Sequence, residues 1–350
     1  MQSLLNPLHA PAFAPARPGP CMKHPFIRHI LSTLTCFILF AAMPAPAASA
    51  AISLPADAYI SLPLSRGKQN QLLLRLPANG RSAIIALDTG SPVTCLDESK
   101  AALFNLSPTS TDGKPPQGLI VNGTRHRLGT VPLLLFGNMQ VRDVPVVLID
   151  LSDLNQVLRA RHDKANDAIL GLDTMHDLGA VIDCGADRLL LREKDDDGQF
   201  GAMLKRGGWH EITMHLNEGH LVVNGFVQHV PVQFIVDTGS PVTVLDQDFC
   251  KAHRITLSDK SFGLKAIHFE TSGAKIGKVF DLQIGRLLVG QSLVAVFNVG
   301  SLLRTNSAAT GSEPRALLGS RTLARTQAFI DCDKMKLYLK APLVEKDWGF

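Results

Sequence analysis

Two aspartates in this chain stand in nearly identical company. Ala86-Leu87-Asp88-Thr89-Gly90-Ser91-Pro92-Val93-Thr94 returns 149 residues later as Ile235-Val236-Asp237-Thr238-Gly239-Ser240-Pro241-Val242-Thr243. In each copy an apolar run leads into a carboxylate, and a lone buried carboxylate is costly unless paired or neutralised. The threonine hydroxyl both donates and accepts, so it can tie one loop to another. The glycine carries no side chain, so a second backbone can approach. Two copies related by an approximate two-fold axis would bring both carboxylates onto that axis. At that distance they cannot ionise together and would hold one proton between them. One would then serve as general base toward a water while the other donates to a substrate carbonyl. The chemistry implied is hydrolysis by activated water, with no covalent intermediate, metal or organic cofactor.

The repeat extends beyond these loops. Ile169-Leu170-Gly171 returns as Leu317-Leu318-Gly319, and Val181-Ile182-Asp183-Cys184 as Phe329-Ile330-Asp331-Cys332, both 148 residues on. Agreement in the same order implies two copies of one fold. The expected layout is an N-terminal lobe over residues 51–194, a linker over 195–208 and a C-terminal lobe over 209–350. Asp195-Asp196-Asp197-Gly198 opens that linker and reads as a solvated turn, lacking the alternation of a calcium loop.

Each copy reads mostly as strand. Gln71 to Leu76, a turn at Asn79-Gly80, and Ala83 to Leu87 predict a hairpin running into Asp88; His220 to Asn224 and Pro231 to Val236 do the same before Asp237. Asp97 and Asp246 are placed to cap short helices over 98–104 and 247–253. Asp173 and Ser320 are placed to cap helices after Gly171 and Gly319. Many short strands around brief helices predict a mainly β protein of two pseudo-symmetric, acid-protease-like lobes, with the active-site cleft between them.

The paired loops and the later apolar-apolar-Gly segments resemble the aspartic peptidases of pepsin and retropepsin type, over about residues 70 to 342. The resemblance looks like that of an exported bacterial form with two retropepsin-like lobes in one chain. It implies Asp88 and Asp237 as the catalytic dyad of an endopeptidase. Thr89 and Thr238 would make reciprocal hydrogen bonds between the loops, and Gly90 and Gly239 would permit their approach. Ser91 and Ser240 would hydrogen-bond the outer carboxylate oxygens, which predicts a more acidic optimum than alanines would give. The family covers its cleft with a hairpin flap; the candidates are Val121, Asn122 and Gly123 in the first lobe and Ser272 and Gly273 in the second. Tyr59 and Tyr338 are the only tyrosines, so no flap tyrosine is available, and one flap or two stays open. The substrate would be a peptide or protein lying extended like an added strand. Two alternatives lack the chemistry: a catalytically silent peptide-binding protein of the same fold, and an exported structural protein.

At 350 residues, 45% hydrophobic and 19% charged, the chain has the makings of a filled globular core. A basic stretch at Lys23 to His29, an apolar run at Ile30 to Met43 and Ala48-Ser49-Ala50 read as a secretory signal peptide over residues 1–50, with Met22 as an alternative start. The expected destination is the periplasm or the medium. Without the leader the body carries 32 bases against 31 acids, which offers no footprint for nucleic acid. No membrane span is expected after its removal, and the two lobes would form a pseudo-dimer within a monomer. Cys95, Cys184, Cys250 and Cys332 remain, and spacing does not choose between thiols and disulfides. The matched Cys184 and Cys332 leave room for a bridge. His210 and His215, five apart in an expected strand, do not read as a zinc pair.

Overall fold

The computed structural model describes residues 58–68, 70–108, 119–121, 124–258, 275–299 and 313–342. The expected leader lies outside them. The chain is mainly β, built on three large sheets and one two-stranded hairpin. No helix among the described residues is long and apolar enough to cross a membrane.

The first sheet runs, in spatial order, Ser65–Arg66, Leu72–Ala78, Arg81–Leu87, Ala168–Leu170, Cys95–Asp97, Met139–Ile149, Leu128–Phe136 and Ser107–Pro108. The second runs His215–Asn217, His220–Val227, Val230–Asp237, Ala316–Gly319, Thr243–Asp246, Leu287–Phe297 and Lys275–Ile284. From the entry strand onward the first seven strands of both follow one order. In each, the strand that ends at the aspartate pairs in parallel with the later apolar-apolar-Gly strand, Leu87 opposite Leu170 and Asp237 opposite Gly319. The second sheet also closes on itself, because His220–Val227 pairs with Lys275–Ile284. Gly225 permits this closure, since a Cβ there would overlap the carbonyl oxygen of Gln283.

The strands follow from alternation. Leu72–Ala78 buries Leu72, Leu74, Leu76 and Ala78 on one side, and Leu87, Val236 and Leu318 lie in the same core. The hairpin before Asp88 turns at Asn79-Gly80 as expected. Its counterpart turns at Gln228-His229, both at positive φ (49° and 65°). Neither residue type signals such a turn.

The third sheet joins the halves, with Tyr59–Pro63, Arg188–Arg192, Ala180–Asp183, Phe329–Asp331, Lys336–Leu339 and His210–Thr213 in order. Its centre pairs the repeats with each other, Ile182 opposite Ile330. Cys184 and Cys332 lie on either side of that centre, opposite Ala328 and Ala180 respectively. The bridge entertained between them is absent: all four described cysteines are free and buried.

The expected linker is in fact a packed element. Gln199–Arg206 is an α-helix, and Phe200 and Leu204, one turn apart, are buried against Trp209, Phe329 and Tyr338. Asp196 is buried rather than solvated. It accepts from the Phe200 amide (2.9 Å), the Tyr59 hydroxyl (2.9 Å) and Lys334 Nζ (3.1 Å). Phe200→Ala should cost about 3–5 kcal/mol in denaturant unfolding. A loss near zero would mean the helix does not brace the third sheet.

Candidate active site

Asp88 and Asp237 come to the same place because the two strands that carry them end face to face. The Asp88 amide donates to Leu170 O (3.1 Å), so each aspartate stands at the end of a strand whose other edge is taken. The following threonines lock the loops together. Thr89 Oγ1 donates to Val236 O (2.7 Å) and accepts from the Thr238 amide (3.1 Å). Thr238 Oγ1 donates to Leu87 O (2.9 Å) and accepts from the Thr89 amide (3.0 Å). Both threonines are fully buried, so these four bonds satisfy groups that water does not reach.

The glycines show how close the loops come. A Cβ on Gly90 would lie 2.6 Å from Asp237 Cγ, and one on Gly239 would lie 2.6 Å from Asp88 Oδ1. Each loop thus leaves a side-chain space that the carboxylate of the other fills. Gly90 N donates to Asp88 Oδ1 (2.9 Å), while Asp237 Oδ1 accepts from both Gly239 N (2.8 Å) and Ser240 N (3.0 Å). Burial drives Asp237 well above the ordinary carboxylate range. The charge of Asp88 and a hydrogen bond with it push the same way, and the Ser240 and Gly239 amides oppose them. A carboxyl that shares its proton with a neighbour behaves this way.

Behind each loop the apolar-apolar-Gly segment closes the support. Gly171 and Gly319 allow the crossing, because a Cβ would overlap the backbone of Val93 or Val242. Their amides donate to Thr94 Oγ1 (3.0 Å) and Thr243 Oγ1 (3.3 Å). Asp97 and Asp246 cap the helices that follow, accepting from Ser99 N and Phe249 N (both 3.0 Å).

No family model and no curated protein matches the chain. Among solved structures it is similar to basic 7S globulin from soybean, with a TM-score of 0.48 and 11% identity, covering 83% of this chain and 97% of that one. It is also similar to conglutin gamma, a basic 7S globulin from lupine seeds, with a TM-score of 0.45 and 11% identity over 81% and 95% of the two chains. Neither is an exported bacterial peptidase with two retropepsin-like lobes, the placement expected from sequence, and that placement is withdrawn.

Other expectations also change. The Ser91 and Ser240 hydroxyls do not donate to the carboxylates. Each gives its single proton to the carbonyl two residues on, Val93 O and Val242 O (both 2.8 Å). Asp173 and Ser320 do not hold the N-cap positions, which belong to Gly171 and Gly319. The first helical amides donate instead to the aspartate loops: Leu172 N to Ser91 O and Ser320 N to Ser240 O, both 2.8 Å. The Asp173 carboxylate accepts from the Thr174 amide in its own first turn (2.6 Å) and from Thr94 N (3.1 Å) and Thr94 Oγ1 (2.8 Å), and burial raises its pKa. The Ser320 hydroxyl donates to Asn70 O (2.9 Å). Asp173 sits opposite Arg321 in the repeat, so no repeated signal marked it.

Of the flap candidates, Val121 ends the strand Leu119–Val121, which pairs antiparallel with Thr124–His126. Asn122, Gly123, Ser272 and Gly273 lie outside the described residues.

Proposed function

We propose that this chain is an aspartic-type endopeptidase in which Asp88 and Asp237 share one proton and activate a water. The observation that carries this reading is the reciprocal Thr89–Thr238 clasp. It sets each carboxylate in the space left by the other loop's glycine. On this reading the two matched sheets are pseudo-symmetric lobes over residues 51–194 and 209–350, with the substrate cleft at their seam. The leader would export the chain.

The mechanism follows from the proton count. A water held between the carboxyls loses its proton to the ionised member as it attacks the scissile carbonyl. The protonated member donates to the carbonyl oxygen, so charge does not accumulate on the intermediate. On collapse one carboxyl donates its proton to the leaving amine while the other takes the proton of a hydroxyl of the intermediate, so the new carboxyl group forms and the pair is again singly protonated.

Cleavage of a peptide library in water enriched in the heavy oxygen isotope tests this. One labelled oxygen should enter each new carboxyl terminus, with no acyl-enzyme trapped by added nucleophiles. Binding of peptides without cleavage across pH 3 to 8 would replace the proposal with a silent peptide-binding protein.

Because the serine hydroxyls are spent on main-chain carbonyls, Ser91→Ala with Ser240→Ala should leave the acid limb of the pH–rate profile within about 0.3 unit of its original position. A shift of a full unit would show that the hydroxyls turn to the carboxylates when substrate binds.

A further inference from the structure

The entry strand of each half crosses to the aspartate loop of the other. From the first half, Asn70 Nδ2 donates to Pro241 O (3.5 Å), and Asn70 O accepts from Ser320 Oγ (2.9 Å). From the second, Gly219 lies against the Pro92 ring, where a Cβ would sit 3.0 Å from Pro92 Cβ. The next residues are Gln71 and His220, each 17 positions before its aspartate. They are 2% and 5% exposed. The His220 ring lies within reach of the Gly90 backbone carbonyl. Neither amide atom of Gln71 has a hydrogen-bond partner among the described residues.

This difference coincides with a difference between the loops. In the peptide unit joining Gly90 to Ser91, the carbonyl faces the His220 ring, and the Ser91 amide closes a turn onto Asp88 O (3.2 Å). In the second loop the matching Ser240 amide turns to the Asp237 carboxylate (3.0 Å). A peptide engaged at both ends is polarised at both, so each bond strengthens the other.

We propose that His220 is a positioning residue, reaching from the second half to orient the Gly90–Ser91 peptide and thereby the Asp88 loop. It makes the two aspartates of the pair unequal. The inference rests on the peptidase reading for its consequence in catalysis, but the brace can be measured without it. Burial holds the imidazole down to about 4, so at neutral pH the ring is uncharged, with one N–H to donate. Glutamine retains an N–H donor at this place and leucine does not.

The test is amide hydrogen exchange on His220→Leu and His220→Gln, with peptide kinetics on the same proteins. In His220→Leu, Ser91 exchange should quicken about tenfold or more while Ser240 stays unchanged, and His220→Gln should restore most of the protection. Where cleavage is observed, kcat should fall roughly tenfold to a hundredfold in the leucine variant with KM nearly constant. Equal quickening at Ser91 and Ser240 would mean general loosening and would overturn the proposal, as would an unchanged Ser91. If wild-type protein cleaves nothing while the Ser91 response is selective, the brace stands and the peptidase reading alone falls.

Discussion

Asp237→Asn should abolish peptide cleavage and at the same time make the protein more stable near neutral pH. An amide neither accepts a proton from water nor shares one with Asp88, so the loss should be about 10³-fold or greater in kcat with little change in KM. The stability change has the opposite sign, for a reason that can be worked through. Burial and the neighbouring Asp88 raise Asp237 well above the ordinary carboxylate range. A carboxyl raised in the folded state holds its proton more tightly there than in the unfolded chain. Its contribution to stability is therefore complete below the unfolded value, about 3.9, and is lost as pH rises through the folded one. Asparagine mimics the protonated form permanently and removes that slope. Urea unfolding at a series of pH values checks this: the variant should gain on wild type as pH rises above the ordinary carboxylate range. A variant uniformly less stable than wild type would mean that the two acids are not in contact.

Thr89→Val should cost roughly 2–5 kcal/mol of stability, because the swap keeps shape and deletes two bonds at once. Val236 O loses its donor and the Thr238 amide loses its acceptor. Both are buried at the seam, where water does not replace the lost partners. Thr238→Val should cost a similar amount by orphaning Leu87 O and the Thr89 amide. The double variant should lose less than the sum, since once one pair is cut the loops separate and the other pair is already weakened. Guanidinium unfolding of the three variants reads this directly. Additive losses below about 1 kcal/mol each would show the clasp to be incidental, by the ordinary net worth of a hydrogen bond.

What could be read before the fold was known divides along physical lines. The aspartate loops, the hairpins feeding them and the later Gly strands were legible because they occur twice, and residues kept in matched positions reveal a shared geometry. Asp97 and Asp246 were legible as caps because a carboxylate before a helical run has one dominant use. The linker helix was missed because Phe200 and Leu204 sit among glycines and acids, and their single turn of periodicity appears only once partners from both ends of the chain pack on it. The hairpin at Gln228-His229 carries no turn signal of its own; pairing of the flanking strands imposes its positive φ angles. The serine hydroxyls were misassigned because type and spacing do not reveal which of two nearby acceptors lies in line with the O–H bond. Gln71 and His220 escaped notice for a different reason. They hold the same place in the two halves with different chemistry, so a search for sameness passes over them.

The shared proton is tested most directly by following the side-chain carboxyl carbons of Asp88 and Asp237 by NMR across pH, each assigned by its asparagine variant. The account predicts that the two signals respond to each other's titration, and that one proton stays on the pair well above the ordinary carboxylate range. Two independent single-step curves, each near the ordinary value of about 3.9, would contradict it.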